Sequence, residues 1–217
     1  LDLDFPNYKY SDDIDILCSE PKKFIKNILN VVKEKYKEFK VNITHGSGGV
    51  THFHVDLFYK NETIDEFSKE SRKQCQVITA DGGFDVSKNY YIQEQMSFRL
   101  IFCQFVTAIK SLKVGGHFVC KIFDMFTLPT IQLLVLVKSL FGEINIFKPL
   151  ASRPCNSEKY LVCKNFIGVD KGTLQNFQVI IQKWPANLFM VDLGIKVSSK
   201  LENTIKNLNT TLVGKQI

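Results

Sequence analysis

An α/β fold, with a parallel sheet flanked by helices, is what this 217-residue sequence predicts, and three observations predict it. Short apolar runs end at a polar residue and a glycine turn, as Gln76-Val77-Ile78-Thr79-Ala80 does before Asp81-Gly82-Gly83, and such runs read as buried parallel strands. Between them lie segments whose apolar residues recur at helical spacing. The order is strand–helix–strand–helix–strand, which right-handed crossovers turn into a parallel sheet.

Residues 1–5 read as the end of a short strand, followed by a polar turn through Pro6, Asn7 and residues 11–13. Over 21–39 the positions Phe24, Ile25, Ile28, Leu29, Val32, Tyr36 and Phe39 predict a helix, with Pro21 suited to its first turn and lysines on the other face. Gly46-Ser47-Gly48-Gly49 leads into an alternating strand over 50–59, and 62–70 is short enough for a single small helix. After the strand at 76–80 comes a long helix over 91–112, carried by Ile92, Met96, Leu100, Cys103, Val106 and Ile109. Gly115-Gly116 predicts a turn, 117–122 a strand, 130–141 a helix, 144–148 a strand and 160–164 a further strand. Helices are expected over 174–181 and, from the spacing of Val197, Leu201, Ile205, Leu208 and Leu212, at the end of the chain. The expected organisation is a main domain over 1–170 and a helical appendage over 171–217.

Composition narrows the class. The chain is 45% hydrophobic with 18 Phe and 7 Tyr, which excludes intrinsic disorder, and 12 Gly and 6 Pro exclude collagen-like repeats. Lys138 and Glu143 interrupt the longest apolar stretch, over 131–147, so no membrane-spanning helix is expected. The six cysteines contain no CxxC pair and sit in apolar runs, as buried reduced thiols of a nucleus or cytosol do. Lys and Arg exceed Asp and Glu by 28 to 22, a net charge of +6 that suits a polyanionic partner. The first residue is Leu1 rather than Met, so a fragment or mature piece of a longer protein is expected; no targeting sequence is visible.

In open α/β sheets, ligands sit at the carboxyl ends of strands. Asp81 ends one strand, Lys121 ends the next in Phe118-Val119-Cys120-Lys121, and Glu158 follows the loop Ser152-Arg153-Pro154-Cys155-Asn156-Ser157. Each alone has a plain structural explanation: a helix cap, a snorkelling lysine, a surface charge. Together they differ, because an ammonium at the end of an apolar strand needs a partner and two carboxylates supply one.

These residues carry a resemblance. Ala80-Asp81-Gly82-Gly83-Phe84, then Gly115-Gly116-His117-Phe118-Val119-Cys120-Lys121-Ile122-Phe123-Asp124, then Lys148-Pro149-Leu150-Ala151-Ser152-Arg153-Pro154-Cys155-Asn156-Ser157-Glu158-Lys159-Tyr160 occur in order over 77–164. The sequence resembles the FtsJ-like (RrmJ-type) RNA 2′-O-methyltransferases, above all the mRNA cap branch. The resemblance implies a Rossmann-like methyltransferase sheet lacking its first βα unit in this chain, with S-adenosyl-L-methionine as cofactor and capped mRNA as RNA partner. It implies a nuclear location, or a cytoplasmic one for a viral member. Of the family's Lys-Asp-Lys-Glu tetrad, Asp81 matches the aspartate, Lys121 the second lysine and Glu158 the glutamate. Cofactor contacts would fall to Asp56, Leu57 and Asp81. RNA contacts would fall to Lys148, Arg153, Asn156 and Ser157. Ribosomal or transfer RNA as substrate, a non-catalytic RNA-binding subunit and a generic nucleotide-binding domain are the alternative readings.

The chemistry fits those roles. A ribose 2′-hydroxyl is a poor nucleophile, and methyl transfer to it is an in-line displacement that a positioned lysine can assist, oriented by flanking carboxylates. The departures are definite: neither the family's glycine-rich cofactor motif nor its first tetrad lysine is found, and Gly46–Gly49 follows a helix and precedes a strand, the reverse of a phosphate-cradling loop. Removal of the N-terminal third is the expected explanation. His52 and His54 share a strand face without a third ligand nearby, so no metal site is expected. Trp184 is read as covering the sheet edge. Lys148, Arg153, Lys159 and Lys164 cluster around the expected site, where a phosphate-binding and a solvated role both fit. Tyr90, Tyr91 and Phe126 are read as core aromatics, with base stacking as the other role.

Overall fold

The computed structural model describes residues 64–65, 68, 75–83, 90–149, 152–153 and 156–214, side chains being described as far as 211, and the backbone of 13–17, 42–45 and 51–54. Seven strands form one sheet: β1 (Asp13–Leu17), β2 (Asn42–His45), β3 (Thr51–His54), β4 (Cys75–Ala80), β5 (Leu112–Ile122), β6 (Phe141–Phe147) and β7 (Lys159–Phe166). The helices described from end to end are α1 (Gln93–Ser111), α2 (Leu128–Leu140), α3 (Lys171–Gln182) and α4 (Ser199–Gly214), and a 3₁₀ turn, Tyr90–Ile92, leads into α1. Ile64, Asp65 and Ser68 are helical, within the short helix expected there. The strand expected over 1–5, the helix over 21–39, and Asp56 and Leu57 lie outside the described residues.

The spatial order is β2-β3-β1-β4-β5-β7-β6. β4 and β5 are parallel, as the crossover through α1 requires. The wholly parallel sheet that the alternation predicts is not what forms. β7 is antiparallel to both β5 and β6, so β5 and β6 run the same way with β7 between them. Among the described residues of 148–158, which join β6 to β7, none is helical, and without a crossover helix the chain returns antiparallel. β1 is likewise antiparallel to β4 and β3. Asp13, expected in a polar turn, opens β1, and β2 was not anticipated.

The expected Gly115-Gly116 turn becomes a bulge inside β5. Cys75 faces Leu112 but Val77 faces His117, so the register jumps across the glycines. Gly115 has φ of +83°, and a Cβ on Gly116 would meet the Lys113 and Gln76 carbonyl oxygens at 2.9 and 3.1 Å. Both positions need glycine.

The core lies between the sheet and α1, which is buried nearly all round. Phe102 packs edge-on to Phe177 of α3 at 5.9 Å and against Trp184 at 5.8 Å. Trp184 therefore does not cover the sheet edge. It is buried, donates from Nε1 to the Leu188 carbonyl at 2.9 Å, and carries the Arg99 guanidinium over its ring. The helical segment after residue 170 thus places Phe177, Ile181, Trp184 and Ile205 in the same core. Among the described residues no helix is long and apolar enough to cross a membrane.

Cys75, Cys103, Cys120 and Cys163 are buried. Burial pushes the Cys163 thiol from its ordinary 9.0 up to about 12 and raises Cys120 as well. All four are expected to stay unreactive toward a thiol reagent at about pH 8 until the protein is denatured. One fast-reacting thiol among them would contradict this burial. Because folding raises these pKa values, the stability they contribute is complete below about 9 and is lost as pH rises toward 12.

Candidate active site

Strand register brings three of the predicted residues to one edge. Ala80 faces Cys120, which sets Asp81 beside Lys121 where β4 and β5 end. Lys121 faces Tyr160 on β7, and Tyr160 faces Phe147 on β6. Directly opposed residues share a sheet face, so Asp81, Lys121, Tyr160 and Phe147 form a transverse row. Phe118, Cys120 and Ile122 point the other way, into the core, and the alternation leaves Lys121 half-buried on the row's face.

Within the row, the Lys121 ammonium pairs with Asp81 Oδ1 at 2.5 Å, the lysine side chain 17% exposed and the aspartate 49%. The lysine is thus sheltered while the carboxylate keeps one side open to a ligand. Gly83 lets the chain pass close: a Cβ there would lie 3.5 Å from Lys121 Nζ. Glu158 enters the row through Tyr160, whose hydroxyl donates to Glu158 Oε1 at 2.9 Å. Burial, that hydrogen bond, and the charges of Asp81 and Glu158 hold the phenol well above its ordinary pKa, so Tyr160 remains a donor.

The loops behind the row are tied down by groups that sequence reasoning missed. Glu94, buried in the first turn of α1, accepts from the Phe126 and Thr127 backbone N–H groups at 3.0 Å each and from the Thr127 hydroxyl at 2.6 Å. Its signal was its place on the helical stripe of Phe98, Ile101 and Phe105. Lys159, 1% exposed, pairs with Asp124 Oδ1 at 3.0 Å. Alternation with Leu161 and Cys163 marks it as inward-facing.

The basic cluster comes apart. Lys148 donates to the Asn156 carbonyl at 2.8 Å, to Asn156 Oδ1 and to the Glu158 carbonyl at 2.9 Å, which engages its ammonium in the loop. Asn156 also accepts from the Ser152 hydroxyl, and Ser157 donates to Gln93 Oε1 at 2.7 Å. Arg153 is exposed. Lys159 is buried and so is unavailable to phosphate, while Lys164 pairs with Glu143 toward the far end of β7. Tyr90, Tyr91 and Phe126 are 68%, 81% and 59% exposed, so they are not core aromatics. Tyr90 and Tyr91 stand just before α1, which carries Glu94, and the Phe126 N–H donates to Glu94.

The chain is similar to a cap-specific mRNA (nucleoside-2′-O-)-methyltransferase 1 of Mus musculus, 40% identical over 126 residues, and to that of Homo sapiens, 39% identical over 126 residues. In each case the match covers 58% of this chain and 15% of the relative. It is also similar to the protein of the same name from Dictyostelium discoideum, 44% identical over 113 residues, covering 50% of this chain and 15% of that one. The chain therefore spans about 15% of the length of the curated relatives it matches. A model of the FtsJ-like methyltransferases matches residues 17–166, well over half of these 217 residues and the whole span of the Asp81–Lys121–Glu158 constellation, and the chain belongs to that family.

Proposed function

We propose that this chain is the transferring core of an enzyme that methylates a ribose 2′-hydroxyl of RNA at the cap-proximal nucleotides of mRNA, using S-adenosyl-L-methionine, in the nucleus. The observation that carries the reading is the sheltered Lys121 ammonium held against Asp81 at paired strand ends, with Glu158 joined to the row by Tyr160.

The donor set suits the cofactor. Asp81 offers a half-exposed carboxylate to a sulfonium cation, and the glycine at 83 leaves room beside it. When bound, S-adenosyl-L-methionine supplies the electrophilic methyl group. Asp81 would hold it, and Asp56 and Leu57 are proposed as its further contacts. The Lys121 ammonium would donate to the 2′-hydroxyl oxygen and stabilise the negative charge that develops there as the hydroxyl proton is lost to solvent. Asp81 orients that lysine, and Glu158, fixed by Tyr160, adds negative charge to the row. Alignment of hydroxyl and methyl group then contributes most of the rate. Arg153 is proposed to meet phosphate, Lys148, Asn156 and Ser157 to shape the loop beneath it, and Tyr90, Tyr91 and Phe126 to stack bases.

Methyl transfer from labelled cofactor to short RNAs tests the reading. The full-length protein is expected to prefer a capped RNA over the same RNA uncapped. Equal rates would move the substrate to structural RNA, and RNA binding without transfer would make the protein a non-catalytic subunit.

A further inference from the structure

We propose that the pair between buried Lys159 and partly exposed Asp124 is a strut that sets the position of Glu158, making Lys159 a positioning residue for methyl transfer; the inference rests on the enzymatic reading above. Lys159 is 1% exposed and points away from the row, onto the face of Cys120, Ile122 and Leu161. Its ammonium reaches Asp124 Oδ1 at 3.0 Å and the Ser157 carbonyl at 2.8 Å.

Stability alone is a poor reason to keep this group. Taking an ammonium out of water is costly, and apolar residues of similar volume in place of a buried pair are often neutral or stabilising. What the pair does is geometric. Lys159 faces Ile122 in the β5–β7 register, so its ammonium spans the seam between the end of β5, one residue beyond Lys121, and the start of β7. By gripping the Ser157 carbonyl it holds both residues that flank Glu158. Glu158 itself turns to the opposite face, where Tyr160 holds its carboxylate and Lys148 holds its backbone carbonyl.

The other end of the strut stands on fixed ground. Beyond Asp124, the Met125 carbonyl accepts from Asn209 of α4 at 2.8 Å, and Glu94 holds the Phe126 and Thr127 N–H groups. A displacement of Asp124 would therefore have to move α1 and α4. Lys159 refers the backbone of Glu158 to this anchored loop, and thus to Lys121.

Lys159→Met in the full-length protein tests the strut. Thermal stability is expected to fall, because Asp124 and the Ser157 carbonyl lose their partner. The kcat is expected to fall about tenfold or more, and KM for capped RNA to stay within about twofold, since a misplaced group near the reacting atoms acts on the chemical step. In a Glu158→Gln background the further loss from Lys159→Met is expected to vanish, because residues acting through one another are not additive. A folded Lys159→Met protein with wild-type kcat, or losses that simply add, would overturn the proposal. Amide hydrogen exchange over 124–127 and 156–159 is read in the same variant without turnover. Faster exchange in both segments is expected, and unchanged exchange rejects the strut. A wild-type protein that transfers no methyl group would instead reject the enzymatic reading and leave the exchange result to decide the strut. Should Lys159→Met fail to fold, the apolar pair Lys159→Met/Asp124→Leu carries the same measurements.

Discussion

Replacing Lys121 with alanine is expected to lower turnover by about a hundredfold or more, the usual scale for a donor that stabilises charge developing in the transition state. Cofactor affinity should barely change, because the lost interaction is realised mainly in the transition state. Lys121→Arg is expected to fail as well. The guanidinium is a wide planar fork, whereas the Lys121 ammonium presents a compact point charge to Asp81. Single-turnover methyl transfer together with calorimetric cofactor binding measures both quantities. A folded Lys121→Ala protein with wild-type turnover would make this lysine structural and remove it from the mechanism.

Phe102→Ala is expected to cost about 3–5 kcal/mol, measured from the denaturant midpoint. Phe102 is fully buried and touches both Phe177 and Trp184, so its loss opens a cavity between α1 and the segment after residue 170. Set against a typical net stability of about 5–15 kcal/mol, that is a large fraction. Ending the chain at Asp170 removes Phe177, Ile181 and Trp184 at once and should destabilise it more. A Phe102→Ala protein as stable as wild type would show that this aromatic cluster does not join the two parts.

Asp81 and Lys121 were legible as candidates in the sequence because each stands where an apolar run stops, and Glu158 because it follows a polar loop just before a strand, strand ends being where an α/β sheet exposes its chemistry. Their mutual arrangement was not. Glu158 meets the pair through Tyr160, a contact fixed by the β5–β7 register, and register depends on which strand lies beside which. The α/β sheet formed with β4 and β5 parallel as expected, but β7 departs for the same reason: local patterning identifies it as a strand and says nothing of its insertion between β5 and β6. Lys159 reads as one of a basic cluster, with a phosphate-binding and a solvated role both open, and Glu94 is not singled out. Only the period of their elements, two for the strand and 3.6 for the helix, turns them inward. Trp184 and the tyrosines were misplaced because hydrophobicity ranks side chains without saying which aromatic finds the core and which is left at a loop.

The insertion of β7 also orders events in time. During synthesis β5 and β6 are made first, and they run the same way, so each waits with an open edge for a strand not yet translated. At ribosomal speeds that wait is on the order of a second or more, long enough for an apolar edge carrying Phe118, Cys120 and Ile122 to meet the wrong partner. The row of Asp81, Lys121 and Tyr160 comes into being only when β7 threads between its neighbours. The candidate site in this fold is a late product of the growing chain.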